Sequence, residues 1–250
     1  MKLNKWTTLT LLVVGALGVS TLLVVGADRM GSPAPGMAPH AVVPGEPWQI
    51  EALAGGGARV MGPGGLVLAP AASTGASAST LGDVERLWPG TSQVAIVAAP
   101  GEAGTLEAFV DPAVLGRIGG KLVVELDLPA SELAAMRERS PKQDYMESTT
   151  RKFQLDPADL PRARQARIVS LSFIPQAQLD EATVIERFGP PGERLTAADG
   201  VVHLLYAERG LDIALHPERK DVLRYVAPAD FRRLREPLAA PRPASAPSGP

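Results

Sequence analysis

No cysteine occurs in the 250 residues. That absence excludes disulfide frameworks, thiolate metal sites, cysteine nucleophiles and an N-terminal cysteine carrying lipid. Asparagine is nearly missing as well: Asn4 stands alone and opens no N-glycosylation acceptor. Neither charge sign dominates, with 25 Lys+Arg against 27 Asp+Glu and a formal net charge of −2. Removing Lys2, Lys5, Asp28 and Arg29 leaves the remainder more acidic still, which argues against nucleic acid as a partner. Catalytic signatures are missing too. There is no HExxH, no His pair at helical spacing and no Asp-rich cation loop. GxSxG, GxGxxG and GxxxxGK followed by Ser or Thr are equally absent.

What the chain does have begins at its N-terminus. Residues 6–26 (WTTLTLLVVGALGVSTLLVVG) carry no charge, and at about 1.5 Å per helical residue they reach the ~30 Å of a bilayer's hydrocarbon core. Lys2 and Lys5 precede this run, so the positive-inside rule puts the N-terminus in the cytoplasm and everything after residue 30 outside it. We therefore expect a signal-anchor transmembrane helix over residues 1–27, placing a single-pass protein in the inner membrane with its body in the periplasm. The competing reading is a cleaved secretory signal, with Val25-Gly26-Ala27 as small residues before a cut. An exported, disulfide-free chain biased to Ala, Gly, Pro and Arg reads as a bacterial envelope protein.

Residues 28–47 are rich in Pro, Gly and Ala and read as a semi-rigid tether. Residues 237–250 (PLAAPRPASAPSGP) have the same character and read as a disordered tail. The body between them reads as α+β: antiparallel sheets with short helices on one face, in a first unit over 48–140 and a second over 141–236. Trp48–Leu53 and Ala58–Met61 flank a Gly55-Gly56-Gly57 turn. Lys121–Leu128 alternates, as does Ala166–Ile174, where Val169, Leu171 and Phe173 oppose Ser170 and Ser172. Val201–Tyr206, Leu211–His216 and Val222–Val226 form an expected meander. Helices are expected at Thr80–Trp88 with Thr80 as cap, at Asp180–Phe188 with Asp180 as cap, and at 130–139, 157–165 and 229–234.

An echo runs through this pattern. DVERLWPGTSQVAIVA from Asp83 and TVIERFGPPGERLTA from Thr183 each give a short capped helix, an aromatic end, a Pro/Gly stop and a strand. The offset, about 100 residues, suggests two related helix-plus-meander units. Within the second, VIERFGPPGER followed by VVHLLYAERGLDIALHPERKDVLRYV resembles the helix-plus-three-strand domain of the SmpA/OmlA outer-membrane assembly lipoproteins, and more loosely the tandem-repeat β-lactamase inhibitor proteins. The resemblance implies a small periplasmic helix-plus-meander domain. The departure from it is the anchor: those lipoproteins use an acylated cysteine, and this chain has none.

Side chains able to carry chemistry are scattered. His40 lies in the tether, His203 alternates with Val201 and Leu205, and His216 follows Leu215 at a strand end. Ser73, Ser77 and Ser79 sit in a small-residue stretch, and the glycines at 55–57 and 62–65 read as turns. Glu125 and Asp127 share one face of a strand about 7 Å apart, a separation of interest to a glycosidase, although the polar face of an alternating strand is usually solvated. Arg162, Arg164 and Arg167, and Arg232, Arg233 and Arg235, form basic clusters read as solvated faces, with an anionic partner or lipid headgroups as the alternative. No catalytic, cofactor or metal residue is assigned. The expectation is a membrane-anchored, non-enzymatic protein-binding or scaffolding module of the periplasm. The alternatives are a hydrolase with an unrecognised site and a carrier of an apolar ligand.

Overall fold

The computed structural model describes residues 45–62, 64–73, 78–145 and 150–239. The expected membrane anchor, most of the tether with His40, Ser77, and the tail beyond residue 239 lie outside them. Among the described residues no helix is long and apolar enough to cross a membrane.

The chain is α+β, and among the described residues every strand pairing is antiparallel. Strands β1 (Ile50–Ala52), β2 (Ala58–Val60) and β3 (Leu66–Leu68) make a three-stranded sheet, with the glycine-rich turns where expected. Helix α1 (Leu81–Leu87) follows, its first turn closed by Thr80 and Asp83 in a capping box. Next come β4 (Ser92–Ala98), β5 (Thr105–Leu115), β6 (Ile118–Asp127) and helix α2 (Ala130–Glu138). The hairpin β7 (Gln143–Tyr145) and β8 (Arg151–Gln154) leads to a 3₁₀ turn, helix α3 (Leu160–Arg164) and strand β9 (Arg167–Pro175). Helix α4 (Glu181–Phe188) starts on the Asp180 carboxylate, which accepts the Thr183 N–H at 2.7 Å, and stops at Gly189. Strands β10 (Glu193–Thr196), β11 (Val202–Tyr206), β12 (Leu211–Leu215) and β13 (Val222–Val226) form the meander, and helix α5 (Arg232–Ala239) ends the described chain.

Strands β4 to β13 form one ten-stranded sheet in the order β10-β11-β12-β13-β9-β6-β5-β4-β8-β7. One face is apolar because alternate residues of every long strand point to it: Leu106, Ala108 and Val110 of β5, Leu122, Val124 and Leu126 of β6, Leu171 and Phe173 of β9, and Leu223 and Tyr225 of β13 are all buried. Helices α1 to α4 and the small sheet cover this face through Leu81, Val84, Leu133, Met136, Ala163, Val184, Phe188, Val60, Leu66 and Leu68. The Tyr225 hydroxyl donates to the Pro47 carbonyl at 2.9 Å, and the Trp48 ring meets Phe188 edge-on at 5.6 Å.

Four expectations are corrected. Helices do not lie on one face only, because α5 crosses the other: its Leu234 and Leu238, with Phe231 just before it, pack on Leu205, Val226 and Leu195. It also runs to Ala239, into the stretch read as tail. Val169 is not a core residue. A bulge between the pairs Glu125↔Ser170 and Leu126↔Ile168 leaves it between them, so Ile168 takes the core position. Finally, Leu87 of α1 is 43% exposed.

Candidate functional site

The second face of the ten-stranded sheet gathers most of the polar side chains that strand alternation excludes from the core. Cross-strand register sets Glu107 of β5 directly opposite Glu125 of β6, with Ser170 of β9 beyond it. Directly opposed residues have Cβ atoms about 4.5–5.5 Å apart. Glu107 is 8% exposed and accepts the Thr105 hydroxyl at 2.9 Å. Burial, and to a lesser degree the neighbouring Glu125, push its carboxyl up to about 8, against the opposing effect of the Thr105 hydrogen bond. Glu107 therefore holds its proton at neutral pH. Glu125 accepts the Ser170 hydroxyl at 2.8 Å, and Nη2 of Arg233 on α5 stands 3.4 Å from it. A protonated and an ionisable carboxyl side by side are the parts of an acid–base pair. On the same face, two strands over, burial lowers the Lys152 ammonium to about 8.

A second polar group is fully committed internally. Asp212 of β12 has no exposed surface; His203 Nδ1 lies 3.0 Å from its Oδ1, and Arg224 Nη2 donates to Oδ2 at 2.5 Å. Burial pushes the Asp212 carboxyl up, but Arg224 and His203 outweigh it and hold the group below the usual carboxylate range. The His–Asp contact has the form of the orienting half of a catalytic triad, yet Ser73 and Ser79 do not complete it. Ser73 donates its hydroxyl to the Pro70 carbonyl, and Ser79 accepts the Val67 N–H. His216 shapes a turn, its Nδ1 accepting the N–H groups of Glu218 and Arg219.

The remaining sequence candidates are separated rather than assembled. Asp127, read as a partner for Glu125, binds Arg167 at 2.8 Å instead. Of the arginines read as solvated clusters, Arg162, Arg164 and Arg235 reach Glu132, Glu85 and Glu193 on other elements at 2.7–2.8 Å, while the exposed Arg232 pairs with Glu236 within α5. Among the described residues no group of His, Asp and Glu is arranged to hold a metal ion. Glu107 is the residue that sequence reasoning passed over. Its signal, a glutamate inside an apolar strand, gains meaning only once register sets a second glutamate opposite.

A different kind of site lies at the end of the sheet. The Gln154 N–H donates to the Lys142 carbonyl at 2.9 Å, and β7 pairs with β8 as Gln143↔Phe153, Asp144↔Lys152 and Tyr145↔Arg151. In an antiparallel ladder bonded and non-bonded pairs alternate, so Asp144 bonds inward while the N–H and C=O groups of Gln143 and Tyr145 point outward. Among the described residues no strand covers that edge. Tyr145 is 73% exposed, with the Arg151 guanidinium 5.1 Å from its ring, and Lys142 pairs with Asp144 at 2.8 Å. The opposite edge is dressed differently: on β10, Arg194 binds Glu181 of α4 and Glu193 binds Arg235 of α5. Compared with protein-family models, curated proteins and solved structures, the chain matches none.

Proposed function

We propose that this chain is a single-pass protein of the bacterial inner membrane whose periplasmic body is a non-enzymatic protein-binding module, and that it docks its partner by strand addition at the outer edge of β7. The observation that carries this reading is the pair of outward backbone sites at Gln143 and Tyr145. An open strand edge is a template for another chain: backbone hydrogen bonds supply affinity and flanking side chains supply selection. The uncharged run at 6–26, with Lys2 and Lys5 before it, supports the anchor. The order helix-then-meander, α1 before β4 to β6 and α4 before β10 to β13, supports two related units.

The test is a backbone substitution. Gln143→Pro removes one outward N–H and leaves the β7–β8 hydrogen bonds in place, because the Gln143 N–H does not point to β8. Capture of envelope proteins from solubilised membranes should fall while the circular dichroism spectrum is unchanged. Equal capture by the variant would overturn the reading. One observation favours a second reading, a periplasmic hydrolase: the protonated Glu107 beside Glu125. That reading requires Glu107→Gln to abolish turnover across a panel of glycoside and ester substrates that the unaltered protein hydrolyses.

A further inference from the structure

We infer that the end of the ten-stranded sheet at the β5–β6 turn rests on the lipid bilayer, its apolar and basic side chains meeting the anionic headgroups of the leaflet that the proposed anchor crosses. This rests on the anchor reading and goes beyond it by orienting the body. Three observations meet at that end.

The first is where the chain enters the body. Glu46 packs against the β5–β6 turn so closely that a Cβ on Gly116 would lie 2.1 Å from the Glu46 Cγ. From there the chain runs to the opposite end of the sheet, where β1 meets the 3₁₀ turn Ala207–Arg209 that follows β11. Only the stretch 27–44 separates the uncharged run from Gly45. A short tether keeps its two ends at high effective concentration, so the end of the body that receives residue 45 is the end presented to the bilayer.

The second is what that end exposes. Val114 is 56% exposed because its neighbour across the hairpin is Gly119, which has no side chain to cover it. Trp88 Nε1 donates to the Val114 carbonyl at 3.4 Å, and Leu87, Pro89 and Pro112, close by in the chain, are exposed as well. An indole among exposed aliphatic groups suits a membrane interface, where the ring sits at headgroup level.

The third is charge. Arg117 is exposed at the tip of the turn. Lys220 brings the β12–β13 turn alongside: its ammonium donates to the Gln176 carbonyl at 2.6 Å, and the Gln176 N–H binds the Gly119 carbonyl at 2.8 Å. Of the acids close by, Asp111 stands 3.7 Å from Lys121, Asp83 pairs with Arg86, and Glu218 is followed by Arg219. Basic groups around an apolar centre match an anionic bilayer surface. A patch this small would hold a free molecule weakly; tethered beside the bilayer, it needs only to orient one.

The absence of cysteine makes each introduced thiol the sole labelling site. The full-length chain is reconstituted in vesicles of phosphatidylethanolamine and phosphatidylglycerol, with a nitroxide at Val114→Cys or, at the far end, at the exposed Glu208→Cys. Collisions with lipid-soluble oxygen, relative to a water-soluble nickel chelate, should be several-fold more frequent at 114 than at 208. Arg117→Gln in the Val114→Cys background should lower occupancy of the surface about fivefold. Replacing phosphatidylglycerol by phosphatidylcholine, or Leu87 by Ser, should lower it too.

Equal ratios at 114 and 208 in a chain that resists carbonate extraction would overturn the orientation and leave the anchor standing. Release of the chain by carbonate would overturn the anchor and this inference with it. Shielding of position 114 from the nickel chelate with no gain in oxygen collisions, rising with protein density, would assign the patch to a second copy and overturn the lipid reading.

Discussion

Glu107 illustrates how one side chain sets a pH response. Its folded carboxyl keeps its proton to about 8, whereas the unfolded chain releases it near the ordinary value of 4.5. The folded state then binds more protons than the unfolded one between those values, so this group's contribution to stability is intact below about 4.5 and is lost as pH rises toward 8. At about 1.4 kcal/mol per pH unit, the loss is on the order of 5 kcal/mol. Glu107→Gln removes the titration: urea denaturation at pH 5 and pH 9 should show a smaller difference for the variant than for the parent. Asp212 has the opposite sign. Its lowered carboxyl contributes above the ordinary carboxylate range and loses that contribution as pH falls. Asp212→Asn leaves the Arg224 guanidinium without its ion partner in the sheet, and thermal unfolding should register a destabilisation of about 3–5 kcal/mol. Arg224 tolerates no further loss easily, since its Nε is already buried without a hydrogen-bond partner.

At the scale of elements, helix ends and turns carry local instructions. Asp180→Ala removes the cap that accepts the Thr183 N–H and should lower stability by about 1 kcal/mol in chemical denaturation. Gly210 sits at φ +67°, where a Cβ would lie 2.1 Å from the Val226 carbonyl oxygen. Gly210→Ala should therefore destabilise by more than about 1 kcal/mol and loosen the β12–β13 hairpin in amide exchange. These signals explain why the caps at Thr80 and Asp180, the stop at Gly189, the 55–57 turn and the C-terminal meander were legible in the sequence. The Glu107–Glu125 pair was not, because its register depends on a bulge. The β5–β6 hairpin starts with Leu115 opposite Ile118, and the extra residue at Asp111-Pro112 shifts the pairing to Val110↔Leu122. Without that shift, alternation would turn Glu107 toward the apolar face. The bulge at Val169 hid the core position of Ile168 in the same way. The pairings of β6 with β9 and of β8 with β4 join strands far apart in sequence, and local alternation carries no information about which distant strand is the neighbour. Edge β7, three residues long and mixed in polarity, gives almost no periodic signal.

The whole molecule presents a sheet with unequal surroundings. One face is closed by four helices and a small sheet, the other is crossed by α5 and carries both the Asp212 ion pair and the Glu107 carboxyl, one edge is tied to helices, and among the described residues no strand pairs with the other. The proposed docking rests on that inequality, because the β7 edge, which no strand covers among the described residues, carries an exposed aromatic ring at Tyr145. The proposed anchor and tether would hold this edge outside the membrane, so protease added to intact spheroplasts should degrade the body and spare the N-terminal span. The most direct measurement is amide hydrogen exchange at Gln143 and Tyr145 in the membrane-bound full-length chain, compared with dilute detergent-solubilised monomer. Docking at β7 predicts that these two amides exchange slowly in the membrane and rapidly in the monomer, while Asp144, bonded to β8, changes little. Equally fast exchange at Gln143 and Tyr145 in both states would contradict it.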